Sequence, residues 1–270
     1  MKKIFLACII LTSICISATE VAKDIATLNM NAQKAFDMRN YAKLSITKDE
    51  NKAVFVADGL CILISNQSFK VKPNTKYQVS VKAKSLNTTP TFMLLGLAPF
   101  DAKGRLLGHI NFDGVQATLT ELSRSCNAKD KVIYVKDASK WQGTNRSIAF
   151  DAKADKSDIP NFNVSNSQVI KVEEVEEDNT WKITFNYPIG FTHPAGTLVR
   201  MHRFGGTYHY TKSCDVQDKW TTIAGNNFNS KQFRKGTVSA KAVILCNYGA
   251  KGAKGRMAFN ELVVKEISEK

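Results

Sequence analysis

Apolar and polar residues alternate with a period of two along much of the chain. The clearest instance lies at residues 76–85, where Tyr77, Val79, Val81 and Ala83 interleave with Gln78, Ser80, Lys82 and Lys84. Successive side chains of a strand point to opposite faces, so this spacing predicts a half-buried antiparallel strand. On a helix of period 3.6 the same apolar groups would not share one stripe. A Pro73-Asn74-Thr75 turn precedes it, after a valine-bearing strand. Residues 53–56 and 60–65 read as short strands around Asp58-Gly59, a hairpin signal. The apolar run at 91–100 is too short for a helix and is punctuated by Gly96 and Pro99, which predicts a strand covered on both faces. A turn at 101–104 leads into a return strand over 105–112.

Past residue 112 the pattern shifts. Residues 113–130 are polar and connecting, and a new unit begins at 131–141. Strands are expected around 169–175 and 181–187, with the acidic run at 173–178 as a solvated hairpin end rather than a calcium site. The double glycine Gly205-Gly206 predicts a tight turn, since positive φ costs glycine little. A two-residue loop there sets Phe204 opposite Thr207, His202 opposite His209 and Arg200 opposite Thr211. Arg200, His202 and His209 then gather on one face, while Val199, Met201, Tyr208 and Tyr210 form a core face. Further strands are expected at 221–224, 237–246 and 257–267, and no heptad, phosphate loop or short repeat is present.

Composition adds compartment and charge. Two lysines, an apolar run over 4–16 and the small residues Ser17 and Ala18 predict a signal peptide over residues 1–18 and an exported mature chain, in the periplasm, at the cell surface or secreted. The run is shorter than the ~20 residues of a spanning helix, so no transmembrane segment is expected in the mature chain. The formal charge of +14 falls to +12 when Lys2 and Lys3 leave with the signal. The lysines are scattered along strands, which suits solubility first and an acidic polysaccharide or cell surface second. Export and the lack of a recognition-helix pattern exclude nucleic acid. Cys8 and Cys15 also leave with the signal. Cys61, Cys126, Cys214 and Cys246 remain, free to pair in three ways, though Cys61 and Cys246 lie in apolar strands where buried thiols are equally at home.

Three pieces together resemble jelly-roll carbohydrate-binding modules of the family 4 and family 9 kind, within the galactose-binding-like sandwich class. They are FKVKPNTKYQVSVKAKS at 69–85, the W-x-x-x-A-x-x-x-F of 220–228 with F-x-x-G-T at 233–237, and the ending GRMAFNELVVKEI. The resemblance implies an all-β jelly-roll β-sandwich and a non-catalytic role in binding carbohydrate. More than a hundred residues separate the first and second pieces, where such modules have a few tens. This implies a discontinuous sandwich, 19–116 and 214–270, carrying an inserted β-rich domain at 117–213. Insertion succeeds where host-strand ends lie close together at the surface. Cys126 and Cys214 would flank that insert and could clamp it with a disulfide. Asn260 stands where many members have an aspartate that helps hold a structural calcium, with Glu261 as a substitute ligand, but no cofactor is required.

Sugar binding needs an apolar face for the C–H side of a pyranose and side chains that satisfy its hydroxyls, because an unpaired buried polar group costs ~1–3 kcal/mol. Trp220 matches the family's core tryptophan and Trp181 reads as core. Trp141, in a turn-like segment, is the candidate platform, with Arg200, His202 and His209 as hydrogen-bonding groups. Those two histidines with His193 fall short of a zinc site. Asp101, Asp113, Asp151 and Glu121 are available as glycosidase carboxylates, but no pattern brings two together. The expected function is recognition of polysaccharide; the alternatives are a structural or adhesive surface protein and a glycoside-active enzyme.

Overall fold

The computed structural model describes residues 21–27, 35–39, 43–49, 52–88, 90–143, 145–249 and 254–268. The expected signal peptide, with Cys8 and Cys15, lies outside the described residues. The chain is all-β. Seven strands precede a long excursion: β1 (Val21–Thr27), β2 (Phe36–Arg39), β3 (Lys43–Asp49), β4 (Lys52–Asp58), β5 (Cys61–Lys70), β6 (Lys76–Ser85) and β7 (Thr91–Phe100). The excursion holds β8 (Thr120–Glu121), β9 (Val132–Val135), β10 (Arg146–Phe150), β11 (Val169–Val175), β12 (Thr180–Phe185) and β13 (Leu198–Arg203). It is followed by β14 (His209–Val216), β15 (Thr221–Ala224), β16 (Phe228–Asn229), β17 (Ser239–Cys246) and β18 (Arg256–Ser268).

Two antiparallel sheets face each other. One runs β15-β6-β18-β4-β3, with β1 also on β18 and β16 also on β6; the other runs β14-β7-β17-β5-β2. From β4 to β7 and again from β14 to β18 the chain crosses repeatedly between the sheets, which gives the jelly-roll arrangement. The alternation of β6 is realised as expected: Tyr77, Val79, Val81 and Ala83 are fully buried. They meet Met93, Leu95 and Leu97 of β7 and Ala240, Ala242 and Ile244 of β17 in one core. Phe36, Phe55 and Phe259 close that core with ring centroids 5.3–5.8 Å apart. The buried Tyr77 hydroxyl is satisfied by the Lys72 amide at 2.7 Å.

The residues between β7 and β14 build two smaller three-stranded sheets, β10-β13-β8 and β11-β12-β9. Their own core contains Ile133, Val135, Trp141, Ile148, Phe150, Ile183, Phe185, Val199 and Met201. The last host strand before the excursion and the first after it are hydrogen-bonded neighbours, with Leu97 opposite His209. The chain therefore leaves and re-enters the sandwich at one spot.

Several local expectations need correction. Asp58-Gly59 makes a turn, with Gly59 at φ 81°, but β4 and β5 belong to different sheets, so it links the layers instead of closing a hairpin. Residues 105–112 form no return strand; they hold one bridge, Phe100 to Leu106, and a single 3-10 turn at His109–Asn111. Trp220 is outside the sandwich core, on the outer face of the seven-stranded sheet against Val54, Val56 and Ala258. The hairpin at Gly205-Gly206 does not exist: β13 pairs with β10 and β8, whereas β14 pairs with β7. Residues 209–213, expected in the insert, are part of a sandwich strand.

Candidate functional site

The lost hairpin separates the expected sugar-binding face. Arg200 and His202 stay together on β13, but both are buried, at 4% and 0% exposure. Arg200 grips the Asp158 carboxylate through both terminal nitrogens, at 3.2 and 2.7 Å, and its Nε donates to His202 Nε2 at 3.0 Å. A guanidinium can only donate, so Nε2 is the acceptor and the ring carries its proton on Nδ1, which donates to the Ile110 carbonyl at 2.6 Å. Burial, with Arg200 adding to it, lowers the His202 pKa to about 4 against the pull of the Ile110 carbonyl. Burial also works to raise Asp158, but Arg200, Asn161 and the Lys153 amide outweigh it and hold the carboxyl at about 2. These groups are consumed by one another and offer nothing to a ligand.

His209 lies in the sandwich instead. Its ring packs 5.0 Å from Phe228 and 5.6 Å from Phe233 and His109, and burial lowers its pKa to about 4. Trp141 is not an exposed platform: it is 4% exposed, part of the insert's core, and its Nε1 donates to the Thr118 carbonyl at 3.0 Å. Cys126 sits in the insert's core and Cys214 on β14 packs against the sandwich core, so the fold does not bring the expected clamp together; Cys61, Cys126, Cys214 and Cys246 are all free thiols in this structure. Asn260 is buried with its Oδ1 unpartnered, while Glu261 is exposed at a bulge of β18 with φ 50°. Together they supply one buried oxygen where calcium takes six to eight, so they do not by themselves form the site. No group of three or more His, Cys, Asp or Glu comes together to hold a metal among the described residues.

A different surface gathers aromatic faces on the outside of the five-stranded sheet and hydrogen-bonding groups along its edge strand, β14. Gly96 of β7 creates it. A Cβ there would stand 2.2 Å from the His209 carbonyl oxygen and 2.8 Å from the Tyr210 Cα, so only glycine lets β14 come this close. Immediately afterwards the register shifts between Tyr210 and Lys212. The extra residue, Thr211, is buried, donating to the Leu95 carbonyl at 3.3 Å, while Tyr210 stays on the outer face at 39% exposure. At the far end of β17, Asn247 takes a left-handed φ of 53° and donates to the Gly59 carbonyl at 2.8 Å. The next residue, Tyr248, has its amide on the Phe92 carbonyl at 3.0 Å and its ring 6.5 Å from Phe92, and is 48% exposed.

Tyr208 lies 6.1 Å from Tyr210, edge to face, over an apolar patch of Ile64, Ala98 and Val243. Burial, then the neighbouring phenols of Tyr208 and Tyr248, push the Tyr210 pKa up to about 12, so its hydroxyl remains a donor at any physiological pH. Beside Tyr210 a cavity of about 370 Å³ is lined by Leu94, Thr211, Lys212, Ser213 and Asn226. It offers an apolar floor, hydroxyl and amide groups, and a cation, with no carboxylate in its wall.

Two other cavities have no exposed aromatic ring in their lining. One of about 280 Å³ between residues 71–74 and 230–237 also carries apolar, hydroxyl, amide and basic groups, with Lys72 held by Glu266 and Arg234 by Asp113, but its one ring, Phe233, is buried. The other, about 430 Å³, borders the edge of the buried Trp141 together with Ile170 and Lys171.

Sequence reasoning placed Tyr208 and Tyr210 on a core face, because it paired their strand with β13. The available signal was the Tyr-His-Tyr alternation at 208–210 together with the Phe-x-Leu of 92–94; it becomes readable once β14 is set beside β7.

The fold and this surface define a two-layer β-sandwich with an aromatic sheet face. No model of a known protein family matches the chain, and no curated protein resembles it in sequence. Among solved structures it is similar to the CBM22-1 xylan-binding domain from Paenibacillus barcinonensis Xyn10C, at a TM-score of 0.40 and 9% identity over 94% of this chain and 100% of that one. It is also similar to the enzymatically active domain of bacteriophage CBA120 tailspike protein 4, at a TM-score of 0.30 and 8% identity, over 86% of this chain and 19% of that one. Likenesses this loose carry no argument, so function is read from the site's own residues.

Proposed function

We propose that this chain is an exported, non-catalytic carbohydrate-binding protein that holds polysaccharide against the outer face of its five-stranded sheet. The carrying observation is the solvent-facing ring of Tyr210 beside a cavity rimmed by Lys212, Ser213 and Asn226, with the exposed ring of Tyr248 against Phe92 on the same sheet. An aromatic ring takes the C–H face of a sugar, and the neighbouring hydroxyl, amide and ammonium groups replace the water its hydroxyls lose. A glycosidase needs two carboxylates about the scissile bond, and the cavity wall has none. Lys212 and the positive net charge favour a polysaccharide bearing carboxylates or sulfates. Export rests on the lysine-led apolar pattern of residues 1–18, and no helix among the described residues is long and apolar enough to cross a membrane.

The test is binding of the purified chain to neutral, uronic and sulfated polysaccharides at low and high salt. Saturable binding to one class that persists at high salt, where surface charge is screened, is the expected result. Binding that disappears with salt reduces the interaction to net charge. Silence across the panel would favour the adhesive alternative, for which the insert's exposed Ile170 and Tyr187 are the surface to examine.

A further inference from the structure

Cys61 opens β5 and Cys246 closes β17, and the antiparallel register sets them directly opposite each other. Both are fully buried in the sandwich core. Residues directly opposite in an antiparallel pair hold their Cβ atoms ~4.5–5.5 Å apart, and a disulfide spans ~3.5–4.5 Å between Cβ atoms. A bond between them therefore asks for a small contraction and no change of register. Cys126 and Cys214 lie in the separate cores of the insert and the sandwich and have no such relation.

We propose that Cys61 and Cys246 form a cross-strand disulfide that staples β5 to β17, with a disulfide of the thiol-exchange class as oxidant. One cysteine, as thiolate, attacks the oxidant RSSR to give a mixed disulfide and RS⁻. The second thiolate then attacks the protein sulfur of that mixed disulfide, forming the Cys61–Cys246 bond and expelling the other RS⁻. Two protein thiols give up two protons and two electrons, and RSSR becomes two RSH. Contact with the Cys61 side chain, together with burial, holds the Cys246 pKa well above its usual value, so the finished fold offers almost no thiolate there. Exchange thus belongs to the folding chain, before the core closes. The bond would enclose β6, β7 and the whole insert in one covalent loop, restricting the unfolded chain rather than adding contacts to the folded one.

The experiment refolds the reduced chain from residue 19 onward, without Cys8 and Cys15, with excess oxidised glutathione, then unfolds it in guanidinium chloride with N-ethylmaleimide and no reductant, and maps peptides by mass. The expected result is one linked peptide pair joining Cys61 to Cys246, with Cys126 and Cys214 alkylated. Alkylation of Cys61 and Cys246, or a link between Cys126 and Cys214, overturns the proposal. As a second readout, dithiothreitol should lower the thermal midpoint of the oxidised wild type by several degrees and leave that of the Cys61→Ala/Cys246→Ala variant unmoved. An equal response in both proteins would also overturn it. If the variant does not fold, the wild-type map decides alone.

Discussion

Asp158, Arg200 and His202 form a buried chain of charge-assisted bonds that fastens β13 to the loop at 151–163 and to the turn at His109–Asn111. Removing one partner of a buried ion pair strands the other charge, typically at ~3–5 kcal/mol. Arg200→Ala should accordingly cost a few kcal/mol by urea unfolding, and a loss below ~1 kcal/mol would show that water replaces the guanidinium. The same residues set a pH response. His202 titrates near 4 folded against 6.5 ordinarily. The stability of its neutral folded form is thus complete above pH 6.5 and is lost as pH falls toward 4. Asp158, near 2 folded against 3.8, adds a further loss below about pH 4. The thermal midpoint should fall between pH 7 and pH 4 and drop further below that; a flat midpoint from 7 to 4 would contradict the neutral, buried histidine. Sequence reasoning put Arg200 and His202 side by side correctly, since alternation alone does that. It could not see that Asp158 would arrive from a distant loop to bury them.

At the scale of the element, β14 decides both the fold and the site. Its approach to β7 depends on the missing side chain of Gly96, and the bulge behind it seats Thr211 against Gly225, whose Cβ would lie 2.1 Å from the Thr211 hydroxyl. Gly96→Ala should therefore be destabilising by ~1–3 kcal/mol, the usual cost of overpacking, and should weaken binding by displacing Tyr210. Normal stability in that variant, measured by thermal unfolding, would mean that β14 can shift away without loss. β6, by contrast, was fully legible, because its period of two and its Pro-Asn turn are local facts. The identity of a strand's partner is not local. Gly205-Gly206 and Asp58-Gly59 carry real turn chemistry, yet turn residues bend a chain without stating which strands will pair across the bend, and both were read as hairpins.

At the scale of the whole molecule, the all-β sandwich was legible from alternation spread along the chain. The proposed binding surface was not, since Phe92 of β7, Tyr210 of β14, Tyr208 just before β14 and Tyr248 just past β17 are set together only by the assembled sheet. Of the tryptophans, Trp141 is buried in the insert, and Trp220 is half-buried, held by Asp49 at 2.9 Å with Lys84 over its ring. The most direct measurement of the central claim is calorimetric titration, with the polysaccharide the wild type binds best, of Tyr210→Ala and Tyr248→Ala beside Arg200→Lys. The two tyrosine variants should each lose about tenfold or more in affinity, ~1.4 kcal/mol, with thermal midpoints close to wild type, while Arg200→Lys keeps its affinity. Undiminished binding in the tyrosine variants, or loss confined to Arg200→Lys, would contradict recognition by the outer sheet face.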